Sequence, residues 1–196
     1  MKQPQLWVFA APNGAGKSTI VDRYVLGRLP VVNPDTIARG LDPALVLPTR
    51  AMRAGRLALV ERAGLLAEQR SFAIETTLTG HAELHLMSTA RQAGFKVSLV
   101  FVGLRSVQHS IGRVAERVAR GGHDVPTVDL LRRFDRSLGN LESAILLADR
   151  TILLDNSGRR AQLIHSREGG RVKFTAPSLP NWAVSAIEFA DASRQA

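Results

Sequence analysis

Short apolar runs alternate with helix-periodic stretches along this chain, and that alternation predicts its elements. Residues 5–10, containing Leu6-Trp7-Val8-Phe9-Ala10, read as a first strand, followed by a Gly-rich loop and a helix from about Lys17 to Gly27. Leu29-Pro30-Val31-Val32 reads as a short second strand, ended by Asn33-Pro34-Asp35. Apolar positions at Met52, Leu57, Val60, Leu65 and Leu66 predict a helix over about 49–70. Phe72-Ala73-Ile74 is a third strand, and a helix over about 81–93 is closed by Gly94, a suitable C′ residue. Phe95–Gly103 is nearly all apolar, the pattern of a parallel strand buried on both faces. Helices over about 106–120 and 128–147 flank Gly121-Gly122-His123-Asp124-Val125-Pro126, and Thr151–Leu154 is a fifth strand. Residues 161–165 and 172–175 predict a hairpin over Glu168-Gly169-Gly170, with a short helix near 182–189 behind it.

Strands joined by crossovers of more than a dozen residues predict an α/β fold. The expectation is a doubly wound parallel sheet of about five strands, ligands meeting the strand ends along one edge. A chain of 196 residues with 45% hydrophobic and 22% charged residues suits one globular domain over 1–196. No apolar run approaches the roughly 18 residues of a membrane span. Met1-Lys2-Gln3-Pro4 leads straight into the first strand, so no signal peptide is expected. The absence of cysteine excludes disulfides and thiolate metal sites and fits a cytoplasmic protein. A net charge of +9 favours polyanionic ligands such as nucleotides. Its carriers, 22 Arg and 4 Lys, are spread without blocks or aromatic interleaving, which argues against nucleic acid as a partner.

The loop after the first strand carries the most chemistry. Ala11-Pro12-Asn13-Gly14-Ala15-Gly16-Lys17-Ser18 differs from the phosphate-binding pattern G-x-x-x-x-G-K-[ST] only at Ala11. Strand, loop and helix follow in the order a P-loop NTPase needs, with backbone N–H groups and a helix N-terminus converging on one anion. Lys17 would reach the β- and γ-phosphates, Ser18 would ligate Mg²⁺, and Thr19 completes the ATP-binding segment. Ala11 is tolerable if its backbone is extended and strained by roughly 1 kcal/mol if φ is positive.

Three carboxylates follow predicted strands. Asp35 suits either a helix N-cap or a base beside a substrate hydroxyl. Glu75 ends an apolar strand where turn chemistry does not call for a glutamate, and so reads as functional. Asp155, in Asp155-Asn156-Ser157-Gly158, reads as a turn residue. Seven arginines lie between 105 and 136, with Arg113, Arg117 and Arg120 on one helical face and Arg132, Arg133 and Arg136 beyond the glycine pair. They fit a solvated face paired with Glu116, Asp129 and Asp135. They also fit a lid over about 105–136, hinged at Gly121-Gly122, that brings cations onto a γ-phosphate; the second reading is preferred. His81 and His85 read as helix-surface residues, while His123 suits substrate contact or capping.

Ala11–Thr19, Asn33-Pro34-Asp35-Thr36-Ile37-Ala38, Phe72-Ala73-Ile74-Glu75-Thr76-Thr77 and Arg113–Val118 followed by Gly121–Pro126 together resemble the compact zeta-toxin-like P-loop kinases. Zeta toxins phosphorylate UDP-N-acetylglucosamine at the sugar 3′-hydroxyl using ATP and Mg²⁺. The resemblance implies Lys17 and Ser18 for ATP and Mg²⁺, and Asp35 as the catalytic base. It implies Glu75, with Thr76 and Thr77, as substrate-positioning residues, and Arg117 or Arg120 with Arg133 or Arg136 as the phosphate clamp. The implied partners are a small-molecule acceptor of nucleotide-sugar type and an antitoxin protein. Three other readings remain: a nucleotide-binding module acting through a partner, a polynucleotide kinase, and a kinase for another small molecule. Transporter-type ATPases, which share the loop, also carry a Ser-Gly-Gly-Gln signature that is absent here.

Overall fold

A computed structural model describes residues 3–25, 27–122 and 124–195, with the side chains of residues 194 and 195 outside that description. Seven strands form one sheet in the order β2-β3-β1-β4-β5-β6-β7. They are β1 (Gln5–Ala10), β2 (Val31–Val32), β3 (Phe72–Thr76), β4 (Lys96–Gly103), β5 (Arg150–Asp155), β6 (Gln162–Glu168) and β7 (Arg171–Thr175). Strands β1 to β5 pair in parallel, whereas β6 runs antiparallel to β5, and β7 to β6. The sheet is thus larger than the five strands expected. The hairpin forms, but β6 takes up the backbone groups along the free edge of β5 and continues the sheet.

The helices are α1 (Lys17–Tyr24), α2 (Pro34–Arg39), α3 (Leu47–Ala67), α4 (Ala82–Gln92), α5 (Val107–Ala119), α6 (Thr127–Gly139), α7 (Leu141–Leu147) and α8 (Asn181–Gln195). Strand alternation divides the core in two. Leu6, Val8, Val97, Leu99 and Phe101 pack with α3, α4, α7 and α8 through Leu65, Met87, Leu141 and Ala186. Phe9, Val100 and Val102 pack on the other side with Ile20 and Val21 of α1 and Phe134 of α6. Because β4 is covered on both faces, its sequence shows no polar alternation. Each fully buried large apolar side chain there contributes about 1.5–3 kcal/mol.

Several helix limits differ from the sequence pattern. The stretch 128–147 is two helices, broken at Asn140, whose Nδ2 donates to the carbonyls of Leu78 (2.9 Å) and Gly80 (3.5 Å). Gly94 does close α4: its φ is +84°, and Phe95 N–H reaches back to the Ala90 carbonyl at 2.9 Å. The C-terminal helix is longer than its apolar pattern, because it packs through small residues, Ala183, Ala186 and Ala190. Trp182 lies against Gly103, where a Cβ would stand 2.1 Å from its ring. The hairpin and α8 therefore complete the sheet and core.

Candidate active site

β1 hands the chain to the loop without strain at its first residue. Ala11 is fully buried, its N–H donates to the Thr76 carbonyl at 3.2 Å, and it is not among the described non-glycine residues with positive φ. Gly14 and Gly16, by contrast, have φ of +72° and +85°, which is where the loop needs glycine. Gly16 is also the N-cap of α1 and offers no side-chain acceptor, so the first N–H groups of that helix stay available to an anion.

Two neighbours hold the loop from outside. Ser110 of α5 donates its hydroxyl to the Asn13 carbonyl at 2.6 Å, and a Cβ on Gly14 would come within 2.9 Å of the Ser110 carbonyl oxygen. Asn156, after β5, donates its amide to the Ala15 carbonyl at 2.8 Å, and a Cβ on Gly16 would meet that amide nitrogen at 2.7 Å. Asp155, the last residue of β5, caps the turn its sequence predicted, accepting from Ser157 N at 3.0 Å and Ser157 Oγ at 2.5 Å.

Pro12 to Thr19 line one cleft of about 480 Å³ together with Asp35, Glu75, Thr76, Thr77, Arg117 and Arg133. Ala11 lies beneath it rather than in its wall. Glu75, nearly buried at the end of β3, accepts from Ser18 Oγ at 2.8 Å and from Asn33 Nδ2 at 2.9 Å. Asn33 is the N-cap of α2, its Oδ1 accepting from Asp35 N at 2.9 Å. The cap role considered for Asp35 thus belongs to Asn33, and the exposed Asp35 turns toward the cleft. Burial pushes the Lys17 ammonium below the ordinary lysine range; Glu75 and Asp35 oppose that shift, and Arg117 adds to it. These four charges share one electrostatic neighbourhood. The Thr76 hydroxyl accepts from Leu78 N at 2.9 Å, and the Thr77 hydroxyl lies 3.1 Å from that of Thr79.

The basic helices divide. Arg113, Arg117 and Arg133 reach the cleft, whereas Arg120 and Arg136 do not line it. Arg113 also donates to the Gly158 carbonyl at 3.2 Å. Gly121-Gly122, expected as a hinge, forms a Schellman stop to α5: Gly121 N–H reaches the Val118 carbonyl and Gly122 N–H the Arg117 carbonyl, both at 2.9 Å. His123 lies outside the described residues. His81 and His85 are exposed, as expected, and no metal-holding group of three or more His, Asp or Glu occurs among the described residues.

Sequence reasoning missed Asn33 and Asn156 as loop and strand-end supports, and Arg62 and Glu83 as lining residues. Asn33 was detectable as a strand-end Asn before Pro. Arg62 and Glu83 carry no local signal, since only the approach of α3 to α4 places them together.

No protein-family model matches the chain. An uncharacterized protein of Haemophilus influenzae (strain ATCC 51907 / DSM 11121 / KW20 / Rd) is 31% identical over 131 residues, covering 63% of this chain and 92% of that protein. The crystal structure of AvrRxo1-ORF1:-ORF2 with ATP superposes with a TM-score of 0.71 at 17% identity, over 96% of this chain and 64% of that one. The chain therefore spans less than two thirds of that neighbour. A structure from the PezAT chromosomal toxin-antitoxin system of Streptococcus pneumoniae superposes with a TM-score of 0.62 at 14% identity, over 98% of this chain and 85% of that one. These likenesses establish a shared α/β fold.

Proposed function

We propose that this chain, which belongs to one family with the uncharacterized Haemophilus influenzae protein, is a P-loop kinase that transfers the γ-phosphoryl group of ATP to a small-molecule hydroxyl. The observation that carries the reading is the convergence of Lys17, Ser18, Asp35, Glu75 and three arginines on one cleft at the strand ends. The ATP-bound AvrRxo1 structure, alike in fold, adds support for the nucleotide.

The residues present suit ATP with Mg²⁺. The Ser18 hydroxyl beside the Glu75 carboxylate is a hard-oxygen donor set, and the free N–H groups of α1 face the loop. When bound there, held by the Ser18 hydroxyl with Glu75 beside it, Mg²⁺ would offset the negative charge of the phosphates. In the proposed reaction Lys17 holds the β- and γ-phosphates, while Arg113, Arg117 and Arg133 neutralise charge on the transferring group. Asp35 accepts the proton of the acceptor hydroxyl as its oxygen bonds to the γ-phosphorus, and the bond to the β–γ bridging oxygen breaks to leave ADP. Glu75 holds Ser18 and Asn33, so its role lies closer to the metal side of the cleft than to acceptor positioning.

Nucleotide sugars such as UDP-N-acetylglucosamine are the first acceptors to try. By likeness to the PezAT system, an antitoxin-type protein partner and a cytoplasmic site of action belong to the same proposal. No helix of the described residues is long and apolar enough to cross a membrane. The test is transfer from γ-labelled ATP to UDP-sugars, nucleosides and 5′-hydroxyl oligonucleotides, with Lys17→Ala as blank. Labelled product with wild type, lost in Lys17→Ala and reduced at least ~100-fold in Asp35→Asn, is expected. Oligonucleotide labelling alone would overturn the small-molecule acceptor, and unchanged turnover in Asp35→Asn would overturn the base.

A further inference from the structure

The acceptor side of the cleft contains a charge that the transfer chemistry does not use. Arg62 sits on the inward face of α3, is only 6% exposed, and lines the cleft with Thr77 and Glu83. It forms an ion pair with Glu83, at 3.8 Å between Nη1 and Oε1, beyond hydrogen-bond reach. Its Nε has no hydrogen-bond partner. A buried guanidinium normally engages a carboxylate or phosphate through short, paired hydrogen bonds, because an unsatisfied donor in low dielectric is costly. The contact to Glu83 offsets the charge without satisfying Nε.

We propose that Arg62 is the specificity residue of the acceptor site: it binds an anionic oxygen group, phosphate or carboxylate, on the molecule whose hydroxyl is phosphorylated. Glu83 holds the guanidinium in place until that group arrives. Resting on the kinase reading, the assignment narrows the acceptor from any alcohol to an alcohol bearing an anion. Arg62 comes from α3, whereas Arg113 and Arg133 come from α5 and α6. The donor phosphates and the acceptor anion are thereby handled by cations from separate helices, which lets the enzyme distinguish a phosphorylated or carboxylated acceptor from ATP itself. Arginine suits this task better than lysine, because its planar fork meets two oxygens at once.

The experiment separates the two halves of the cleft. With the loop saturated by Mg²⁺ and a non-hydrolysable ATP analogue, inorganic phosphate and malonate are titrated calorimetrically into wild type, Arg62→Met, Arg62→Lys and Glu83→Gln. Wild type is expected to bind at least one of the two anions at a single further site; which one binds tells phosphate from carboxylate. Arg62→Met should weaken that binding at least ~30-fold with affinity for the ATP analogue unchanged, and Arg62→Lys should recover part of it. Glu83→Gln should bind the anion as tightly as wild type or tighter. In the transfer assay Arg62→Met should raise KM for the acceptor and leave KM for ATP alone. The proposal is overturned if no anion binds the loaded wild type, if Arg62→Met binds it equally, or if Arg62→Met weakens the ATP analogue and the anion in parallel. Failure of wild type to bind the ATP analogue would instead overturn the kinase reading. Anion binding to Arg62 is then read without the analogue in a Lys17→Ala background, where its loss on adding Arg62→Met still supports the Arg62 site and its persistence overturns it.

Discussion

Replacing Glu75 tests the centre of the cleft, because one carboxylate there holds two donors and also sustains the charge of Lys17. Hydrogen bonds to a charged group are worth about 1.5–3 kcal/mol each. Glu75→Ala removes both, though water can recover the exposed Ser18, so a net loss of about 2–4 kcal/mol is expected. At about 2–4 °C per kcal/mol for a domain of this size, Tm should fall by about 4–16 °C. Glu75→Gln keeps the shape: its oxygen can accept from Asn33 and its amide can donate to Ser18 Oγ. Its loss should stay near 1 kcal/mol, or about 4 °C at most. The isosteric variant nevertheless removes the main charge opposing the desolvation of Lys17, so the Lys17 proton should leave at lower pH than in wild type. The sign differs between two readouts. Without ligand the unfolded chain binds the proton more tightly than the desolvated lysine of the folded chain, so stability contributed by this group rises with pH up to about 10.4, the unfolded value. ATP affinity needs the ammonium and therefore falls with rising pH, sooner in Glu75→Gln. Thermal melts and ATP-analogue titrations between about pH 7 and 10 measure both. A wild-type pH profile in Glu75→Gln would refute the coupling, and a Tm loss equal to that of Glu75→Ala would refute the account of the two hydrogen bonds.

Two other outcomes follow from placement. Ala11→Gly should leave KM for ATP unchanged and lower Tm by about 3–7 °C, because the backbone there does not need glycine and the change adds chain entropy of about 0.5–1 kcal/mol and removes a buried methyl worth about 0.8 kcal/mol; a large gain in ATP affinity would show that the alanine is strained. Arg113→Ala should slow transfer at least ~10-fold, while Arg120→Ala and Arg136→Ala should leave kcat within ~2-fold, since only Arg113 of the three lines the cleft; steady-state kinetics with any accepted acceptor separates them.

Local pattern carried the central architecture because its causes are local. Strand-to-loop-to-helix order at 5–24, the strand-end positions of Asp35 and Glu75 and the apolar run of β4 each express a constraint within at most about twenty residues of chain. What the pattern could not convey depends on distant chain. Asn156 reaches Ala15 across 141 positions, and nothing in Asp155-Asn156-Ser157-Gly158 distinguishes a loop support from an ordinary turn residue. Arg113, Arg117 and Arg120 look equivalent on a helical wheel. Their separation comes from the Schellman stop, which ends α5 at Ala119 and leaves Arg120 as its C-cap. Both a hinge and a left-handed helix terminus select glycine, which is why the sequence alone reads the pair as a hinge without showing the stop.

The balance of charge in the cleft links these parts. Lys17, Arg62, Arg113, Arg117 and Arg133 face Asp35, Glu75 and Glu83, five cations against three carboxylates. A cleft of that composition is poorly compensated on its own and favours ligands that carry more negative charge than they displace. Phosphates on the loop account for the cations near α1, α5 and α6. They leave Arg62 unaccounted for, on a different helix and held by a long ion pair to Glu83. The excess positive charge of the whole chain therefore says little about the acceptor, because most of it lies on the surface. The buried arginine in the cleft wall says more, since Glu83 offsets its charge at 3.8 Å and leaves its Nε without a hydrogen-bond partner that an entering anion could supply.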